Sequence, residues 1–526
     1  MRSVHEVAIP LVLGLAADDA SAAEAERYIT ESLSAIVAEL RAAYPHTPLI
    51  AISALASDAE LIAAKAALAL GVPIRACRAA VAGDGISPAL SDALGACSNV
   101  DVVDASFQTH YGAFAAEAYV AHFSDLLIAF GAPPAPGSRL DAVVTLRERG
   151  RFAGAHTRGR ILDPPDVGPY RRVLPQPGGS STVLSEFPPR YYGDLHSGRD
   201  AQFALARLDE LNRDLRGDDP ADGALFSERV KRRAGVYTDG LQRRVVFWQR
   251  FLYWAAFVAA TAEFVLPKNT VGTIVDFGAV GIAFALYFVA RPRKYQGRYQ
   301  DYRAISEALR VQTAWSKAGV AESVEGGYLR MQQTELQWIR NVLRTVALLQ
   351  GSAAGGSAQD RTAVVDWVLG QRDYFRTAQR REAHRNELFH RWVEVLTPLN
   401  IVLGLGIFAF VAITRIDPII PVLSTPDERY TLEVLVGTFA GWAALTAAVL
   451  HSYARTRGFS ENANRYERMF LMFDEASLWL SGEAGRPLVE VRELAVELGR
   501  EALAEHAEWL LTQRDRPLAI VHAGAA

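Results

Sequence analysis

The sequence predicts an α/β doubly wound, Rossmann-like N-terminal domain followed by an all-α membrane domain with four transmembrane helices and long cytoplasmic helices. Three observations predict it. Short apolar runs alternate with amphipathic stretches across residues 1–190. Two pairs of apolar stretches follow, each close to the roughly 20 residues that a helix needs to cross hydrocarbon. Basic residues gather beside the same end of each pair.

Composition sets the outer bounds. A chain of 526 residues has room for several domains. Half of its residues are hydrophobic, and the mean hydropathy of +0.06 averages a polar first half with an apolar second half. The net charge of −4 supplies no bulk basic field, so no nucleic-acid partner is expected. Cys77 and Cys97 stand far apart with no metal-ligand spacing, which fits a reduced cytoplasmic setting. The opening MRSVHEVAIPLVLGLAADD has no signal-peptide pattern, so the first apolar span is expected to act as its own insertion signal. Five ranges are expected: a ligand-sensing domain at 1–190, a helical connector at 191–245, a first transmembrane hairpin with cytoplasmic helices at 246–350, a linker and helix at 351–392, and a second hairpin with C-terminal helices at 393–526.

In the N-terminal domain, Val7–Leu15 is a continuous apolar run that suits a buried parallel strand. A helix is expected over Ala22–Tyr44 from the spacing of Ile29, Leu33, Ile36, Val37 and Leu40, closed by Pro45 and Pro48. Strands follow at Leu49–Leu55, Val72–Cys77, Val100–Val103 and Asp125–Phe130. Helices are expected at Ala59–Leu70 with Asp58 as cap, at Tyr111–Phe123, and at Leu140–Arg149. In such sheets ligands sit beyond the carboxyl ends of the strands. The loops after Gly14, Ser53 and Gly131 are therefore the candidate ligand loops. Gly14 and Gly137 permit close approach of backbone to a phosphate. Ser53 and Ser138 can donate to one, and Arg139 can offset its charge. Asp58 completes the set. Each has a plainer structural role as well: turn glycine, capping serine or aspartate, solvated arginine. His122 reads as a half-buried residue of a helix face, and Asp125 as a backbone hydrogen-bond acceptor.

The connector contains an amphipathic helix at Ala201–Arg216, a polar helix at Leu225–Arg232, and an arginine-rich lead at Asp239–Arg250. The first hairpin comprises Phe251–Leu266 and Val271–Ala290, joined by Pro267–Thr270 and followed by Arg291, Arg293, Lys294 and Arg298. The second comprises Leu396–Ile413 and Leu432–Tyr453, flanked by Arg380, Arg381, Arg385 and Arg391 before it and by Arg455 and Arg457 after it. This charge placement predicts cytoplasmic N- and C-termini. Tyr302 and Trp315 after the first hairpin recur at the same offset as Tyr466 and Trp479 after the second, which suggests a parallel repeat. Long cytoplasmic helices are expected at Gln300–Ala318, Tyr328–Leu349, Val364–Trp392, Glu461–Leu480 and Leu488–Gln513. Glu263 and Asp276 are ionisable groups inside spans: they line a pore, where a ring of carboxylates would favour cations, or they snorkel to headgroups or hydrogen-bond locally.

Several stretches resemble known families. Ile52–Leu70 (ISALASDAELIAAKAALAL) and Tyr119–Ala129 (YVAHFSDLLIA) resemble two segments of the SLOG superfamily, Rossmann-like relatives of the phosphoribohydrolases that release cytokinins. Ile161–Pro175 is similar to the strand that closes this domain in membrane-fused members. Tyr302–Gln312 (YRAISEALRVQ) resembles the SLATT group, two-span effector domains fused to or encoded beside such sensors, and Glu505–Val521 resembles the C-terminal segment of the fused proteins. The resemblance implies a homo-oligomeric inner-membrane effector that forms a pore or perturbs the bilayer when a small nucleotide-type signal binds, as in bacterial anti-phage defence. The superfamily's enzymes carry a PGG-x-GT-x-x-E loop. Here the matching place reads Pro136–Asp141 (PGSRLD), with one glycine and no such Glu, so no enzyme activity is expected. A membrane-tethered nucleotide hydrolase and a non-sensing membrane scaffold remain the alternatives.

Overall fold

The computed structural model describes residues 7–18, 22–79, 88–103, 108–109, 111–131, 136–149, 170–175, 181–186, 197–217, 224–265, 270, 274, 277–278, 281–282, 295–320, 322–329, 336–350, 358–416, 426–482 and 487–514. The chain divides into two compact units. One comprises Met1–Tyr237 and Arg303–Gly355, the other Thr238–Tyr302 and Gly356–Ala526. These units group the chain differently from the five expected ranges, because the stretch after the first hairpin belongs with the α/β sheet.

The first unit is built on seven strands: β1 (Leu11–Ala17), β2 (Leu49–Ser53), β3 (Ile74–Ala79), β4 (Asn99–Val103), β5 (Leu126–Phe130), β6 (Tyr170–Pro175) and β7 (Ser181–Glu186). Their order is β4-β3-β2-β1-β5-β6-β7, with every neighbouring pair parallel except the antiparallel β6–β7. The strand order reverses between β1 and β5, which makes the sheet doubly wound. Helices α1 (Ala22–Ala43), α2 (Asp58–Ala69), α3 (Pro88–Ala96), α4 (Ala115–Phe123) and α5 (Arg139–Arg149) provide the connections. Every residue of β1 and β5 is buried, as central strands covered on both faces must be. The chain's continuous apolar runs are the source of that burial.

Strand β1 starts at Leu11, not Val7. Pro10 has no N–H to give a ladder, and the Ile9 N–H is taken by the Asn212 side chain at 2.8 Å. The strand then runs on to Ala17, so Gly14 lies inside it, paired with Ile52 and Leu127, and the first loop begins beyond Ala17. The glycine has a packing reason. A Cβ at Gly14 would stand 2.8 Å from the Ser124 Cβ, in the turn that joins α4 to β5. We expect Gly14→Ala to cost about 1–3 kcal/mol by overpacking, read as a lowered thermal midpoint.

Helix α2 is capped by Ser57, whose hydroxyl accepts from the Glu60 N–H at 3.1 Å. Asp58 is the first helical residue and favours that end through the helix dipole. Helix α3 and strand β7 were not anticipated. Short alanine-rich and Ser/Thr-rich segments carry little periodic signal.

A helix from a distant part of the chain closes the amino-terminal edge of the sheet. Helix α6 (Ser197–Leu215) is tied there by Asn212, which also donates to Ile9 O at 2.8 Å, and by Asp209, which accepts from His46 N and the Thr47 hydroxyl. Helix α7 (Phe226–Val265) is one unbroken 40-residue helix where two segments were expected. Its interior glycines, Gly235 and Gly240, weaken a helix by only about 1 kcal/mol each. Helix α8 (Tyr295–Lys317) carries Thr313 to the Ser227 hydroxyl at 3.0 Å. In place of the expected helix from Tyr328, a 3-10 turn occupies Val324–Gly326, Leu329 has a φ of 55°, and helix α9 covers Gln337–Gln350.

The second unit contains the later parts of α7, the first residues of α8, and helices α10 (Ala358–Ile416), α11 (Pro426–Arg457), α12 (Phe459–Gly482) and α13 (Leu488–Arg514). Helix α10 is 59 residues long and passes Pro398 without ending. Trp367 and Phe375 of α10 pack on Phe473 of α12. Helix α13 is held by Arg465–Glu505 at 2.7 Å, by the Tyr299–Trp509 ring pair and by the Asp301–Arg514 ion pair. Among the described residues two stretches are long and apolar enough to cross a membrane. They are Arg361–Phe410, whose most apolar window has a mean hydropathy of 1.9 and no buried residue, and Val434–Gly482, at 1.6 and 11% buried. These overlap most of the expected third and fourth spans. The first expected span lies at the end of α7. Most of the second span, the 351–356 linker and most of the turn after Ile416 lie outside the described residues.

Candidate ligand-binding site

The carboxyl ends of β1, β2 and β5 meet at the reversal of strand order, where an open α/β sheet leaves a crevice. The backbone there is closely drawn together. Asp18 N donates to Phe130 O at 3.1 Å, joining the loop after β1 to the end of β5. Gly131 has a φ of 133°, a conformation that side chains disfavour, and a Cβ on it would stand 3.1 Å from the Asp18 Cβ.

Ser53 ends β2 and is fully buried. Its hydroxyl donates to Glu60 Oε2 at 3.4 Å and accepts from Leu55 N at 3.3 Å. The same Glu60 oxygen accepts from Ala56 N at 2.8 Å, while the Ser57 hydroxyl reaches Ala17 O at 3.3 Å. Glu60 thus clasps the loops after β1 and β2 from below. Burial pushes its pKa up to about 7. The Ala56 N–H opposes that shift and the nearby Glu117 adds to it.

Glu117, in the first turn of α4, is the second buried carboxylate, with its side chain 1% exposed. Arg139, the first residue of α5, donates to its Oε1 at 2.6 Å, and the Arg139 side chain is 57% exposed. Among the described residues Glu117 Oε2 is buried with no hydrogen-bond partner. A buried carboxylate oxygen left unsatisfied is costly. The N-termini of α2 and α5 both open on this edge and favour negative charge.

Each expected site residue now has a place. Ser53, Gly131 and Arg139 line this edge, with Asp58 exposed on the first turn of α2. Gly14 lies within β1, away from any loop. Ser138 and Gly137 are engaged in a helix cap: the Ser138 hydroxyl accepts from Asp141 N at 3.1 Å, and Gly137 N donates to Asp141 Oδ2 at 2.8 Å. Helix α7 carries Glu263 in its last turn. The Glu263 side chain and all of Asp276 lie outside the described residues. Sequence reasoning missed Glu60 and Glu117. The signal for both was a carboxylate set in an alanine-rich helix, ASDAELIAAKAALA and AAEAYVA, where a surface helix would be more polar. Cys77 sits beside them. Burial, followed by the Glu60 charge, raises its thiol well above the ordinary range, so it is a packed, unreactive group.

A second charged cluster lies at the opposite, amino-terminal edge. Asp125 Oδ2 accepts from Val12 N at 3.0 Å, as the sequence suggested, and its Oδ1 lies 3.8 Å from Arg344. The fully buried Arg147 donates to Ala121 O and Asp125 O. His122 Nε2 lies 3.0 Å from Glu325 Oε1, and Arg340 bonds the Glu325 carbonyl. This cluster attaches the 323–345 segment to α4 and the start of β5. Among the described residues no group of acidic, histidine or cysteine side chains is arranged to hold a metal ion.

The fold and site define an α/β domain with a doubly wound sheet and two buried carboxylates, Glu60 and Glu117, near its switch point, joined in one chain to a helical unit with apolar helices. Compared with protein-family models, with curated proteins and with solved structures, the chain gives no match.

Proposed function

We propose that this protein is a membrane effector gated by a small nucleotide-type ligand bound at the Glu60–Glu117–Arg139 edge. The observation that carries the reading is Glu117 Oε2, a buried acceptor with no partner, next to an exposed arginine and two helix N-termini. That set suits a ligand with an anionic group and a hydrogen-bond donor, as a nucleotide has. Helix α7 starts in the sheet-containing unit and ends in the helical one, so a change in the first has a covalent path into the second.

Register within the helical unit supports multiple membrane spans. The Tyr253 hydroxyl meets the Thr456 hydroxyl at 2.7 Å, Arg457 donates to Gln249 at 3.0 Å, and Phe389 stacks beside Tyr453 and Phe459. These contacts bring α7, α10 and α11 to one level. On all three helices arginines gather on or near one side of that level (Arg243 and Arg244, Arg380 and Arg381, Arg455 and Arg457), and exposed apolar residues lie to the other (Trp254 and Val258, Leu399 and Val402, Val434 and Leu435). Such a level is what a membrane–water interface requires. With Val271–Ala290 as the returning strand of the first hairpin, four spans and cytoplasmic termini follow.

The test is thermal shift of the full-length, detergent-solubilised protein against linear and cyclic nucleotides, with Glu117→Gln and Arg139→Ala as variants. We expect stabilisation by at least one nucleotide and its weakening by about 10-fold in affinity or more in either variant. No shift with any nucleotide favours the scaffold reading. In cells, a voltage-sensitive dye should report depolarisation on induced expression with phage infection, and an unchanged potential throughout rejects gating. The Glu60 pKa of about 7 favours one second reading, a nucleotide hydrolase with Glu60 as proton carrier. Release of free base from nucleoside monophosphates, abolished in Glu60→Gln, would establish it.

A further inference from the structure

One flank of α7 carries a feature that ligand gating does not use. An open cavity of about 540 Å³ lies against residues 242–254. Its lining includes, in order along the helix, Arg243, Phe247, Arg250, Phe251 and Trp254, so that Phe251 and Trp254 lie toward the apolar end, and among the described residues no lining residue is acidic. Both arginines are exposed. Phe247 is 60% and Trp254 65% exposed, far more than rings of this size in a packed core. Phe247 and Phe251 stack with ring centroids 5.9 Å apart, so they form one continuous apolar wall. Gln249, Tyr253 and Phe257 are the residues of α7 that meet α11. At 3.6 residues per turn the arginine–aromatic stripe lies about a quarter-turn round the helix from them. The stripe therefore lies on a flank of α7 that is distinct from its α11-facing side.

We propose that this cavity binds an anionic phospholipid, with its headgroup held by Arg243 and Arg250 and the start of its acyl chains along Phe251 and Trp254. The proposal rests on the membrane reading above and adds a ligand to it. Three observations favour this occupant. Among the described residues the lining is cationic without an acidic counterpart, which selects a negative headgroup. Arg250 stands at the level of Gln249 and Tyr253, beyond which exposed apolar residues follow, so the arginines lie at headgroup depth with Phe251 and Trp254 at and below it. From Arg243 to Trp254 the helix rises about 16 Å, enough for a headgroup and the first part of an acyl chain.

The experiment uses full-length protein purified in a neutral detergent. Carbonate extraction of membranes is read first, then the thermal midpoint in mixed micelles containing phosphatidylglycerol or phosphatidylcholine. We expect the phosphatidylglycerol concentration giving half the maximal stabilisation to be roughly thirtyfold below that for phosphatidylcholine, about fivefold from each arginine. The double variant R243Q/R250Q should lose that preference while keeping its helical circular dichroism, and Arg27→Gln, on an exposed face of the other unit, should keep it. Equal response of the wild type to both lipids overturns the proposal alone. Release of the protein by carbonate overturns the membrane reading and this proposal together. Rapid disulfide cross-linking of Trp254→Cys between copies in native membranes would show a second protomer in the cavity and also overturn it.

Discussion

Glu325→Ala is expected to lower the stability of the sheet-containing unit by about 3–5 kcal/mol, the largest effect of any single change considered for this protein. The reason is what the substitution leaves behind. Glu325 is 8% exposed and faces His122 at 3.0 Å and Arg340 at 3.8 Å, with Arg344 adding to the field. Removing it takes away the carboxylate that faces His122 and the buried Arg340. Burial alone would raise the Glu325 pKa, but His122, by charge and hydrogen bond, then Arg340 and Arg344, outweigh it and bring it to about 2. A carboxylate lowered from 4.5 in this way adds stability that is complete above pH 4.5 and is lost as pH falls from there to about 2. Thermal unfolding of wild type should therefore weaken across that acid range, and the Glu325→Ala midpoint should be much less acid-sensitive. A midpoint within 2 °C of wild type at pH 7, about the effect of 1 kcal/mol at most, would show the cluster to be energetically neutral.

Glu60→Gln is expected to act in the opposite direction. The Glu60 pKa stands near 7 against 4.5 for the free group, because burial disfavours the charged form. The folded protein then holds a proton that the unfolded chain releases, so stability declines as pH rises from about 4.5 to about 7 and stays low above that. The full penalty is about 3 kcal/mol. Glutamine keeps an oxygen for Ala56 N and carries no charge. The variant should be more stable than wild type at pH 8, by up to that amount, and close to it at pH 5. Thermal midpoints at the two pH values decide this, and a variant less stable at pH 8 would mean that the anion itself is needed to hold the loops. A ligand donor bound at Glu117 should also shift the wild-type pH profile, since Glu117 is among the charges that raise Glu60.

The doubly wound order was legible in residues such as Val12, Ile52 and Ile128, whose runs are too apolar for any surface and too short for helices. The long helices of the second half were legible for the same reason, with exposed Val402, Leu405 and Phe408 marking α10 as a segment whose apolar side chains meet no protein. The bounds of helices such as Ala22–Ala43, Asp58–Ala69 and Leu488–Arg514 came within a few residues, since their periodicity survives packing, whereas the helix expected from Tyr328 begins only at Gln337. Interiors of helices were harder to divide: nothing local at Gly235 or Pro398 says that the helix continues, because continuation is decided by neighbours.

The sequence by itself determined the alternation of strands and helices, the apolar stretches and their flanking arginines. These depend on spacing and polarity along the chain, which any neighbour-by-neighbour reading can recover. Only the tertiary structure decided that Glu60 and Glu117 share one edge, that Gly14 is a packing glycine, that Ser138 is a cap, and that residues 323–345 return to the sheet through His122 and Asp125. Those facts join positions up to some 200 residues apart. They are settled by burial and by the need to pair charges away from water, and neither is written in local order.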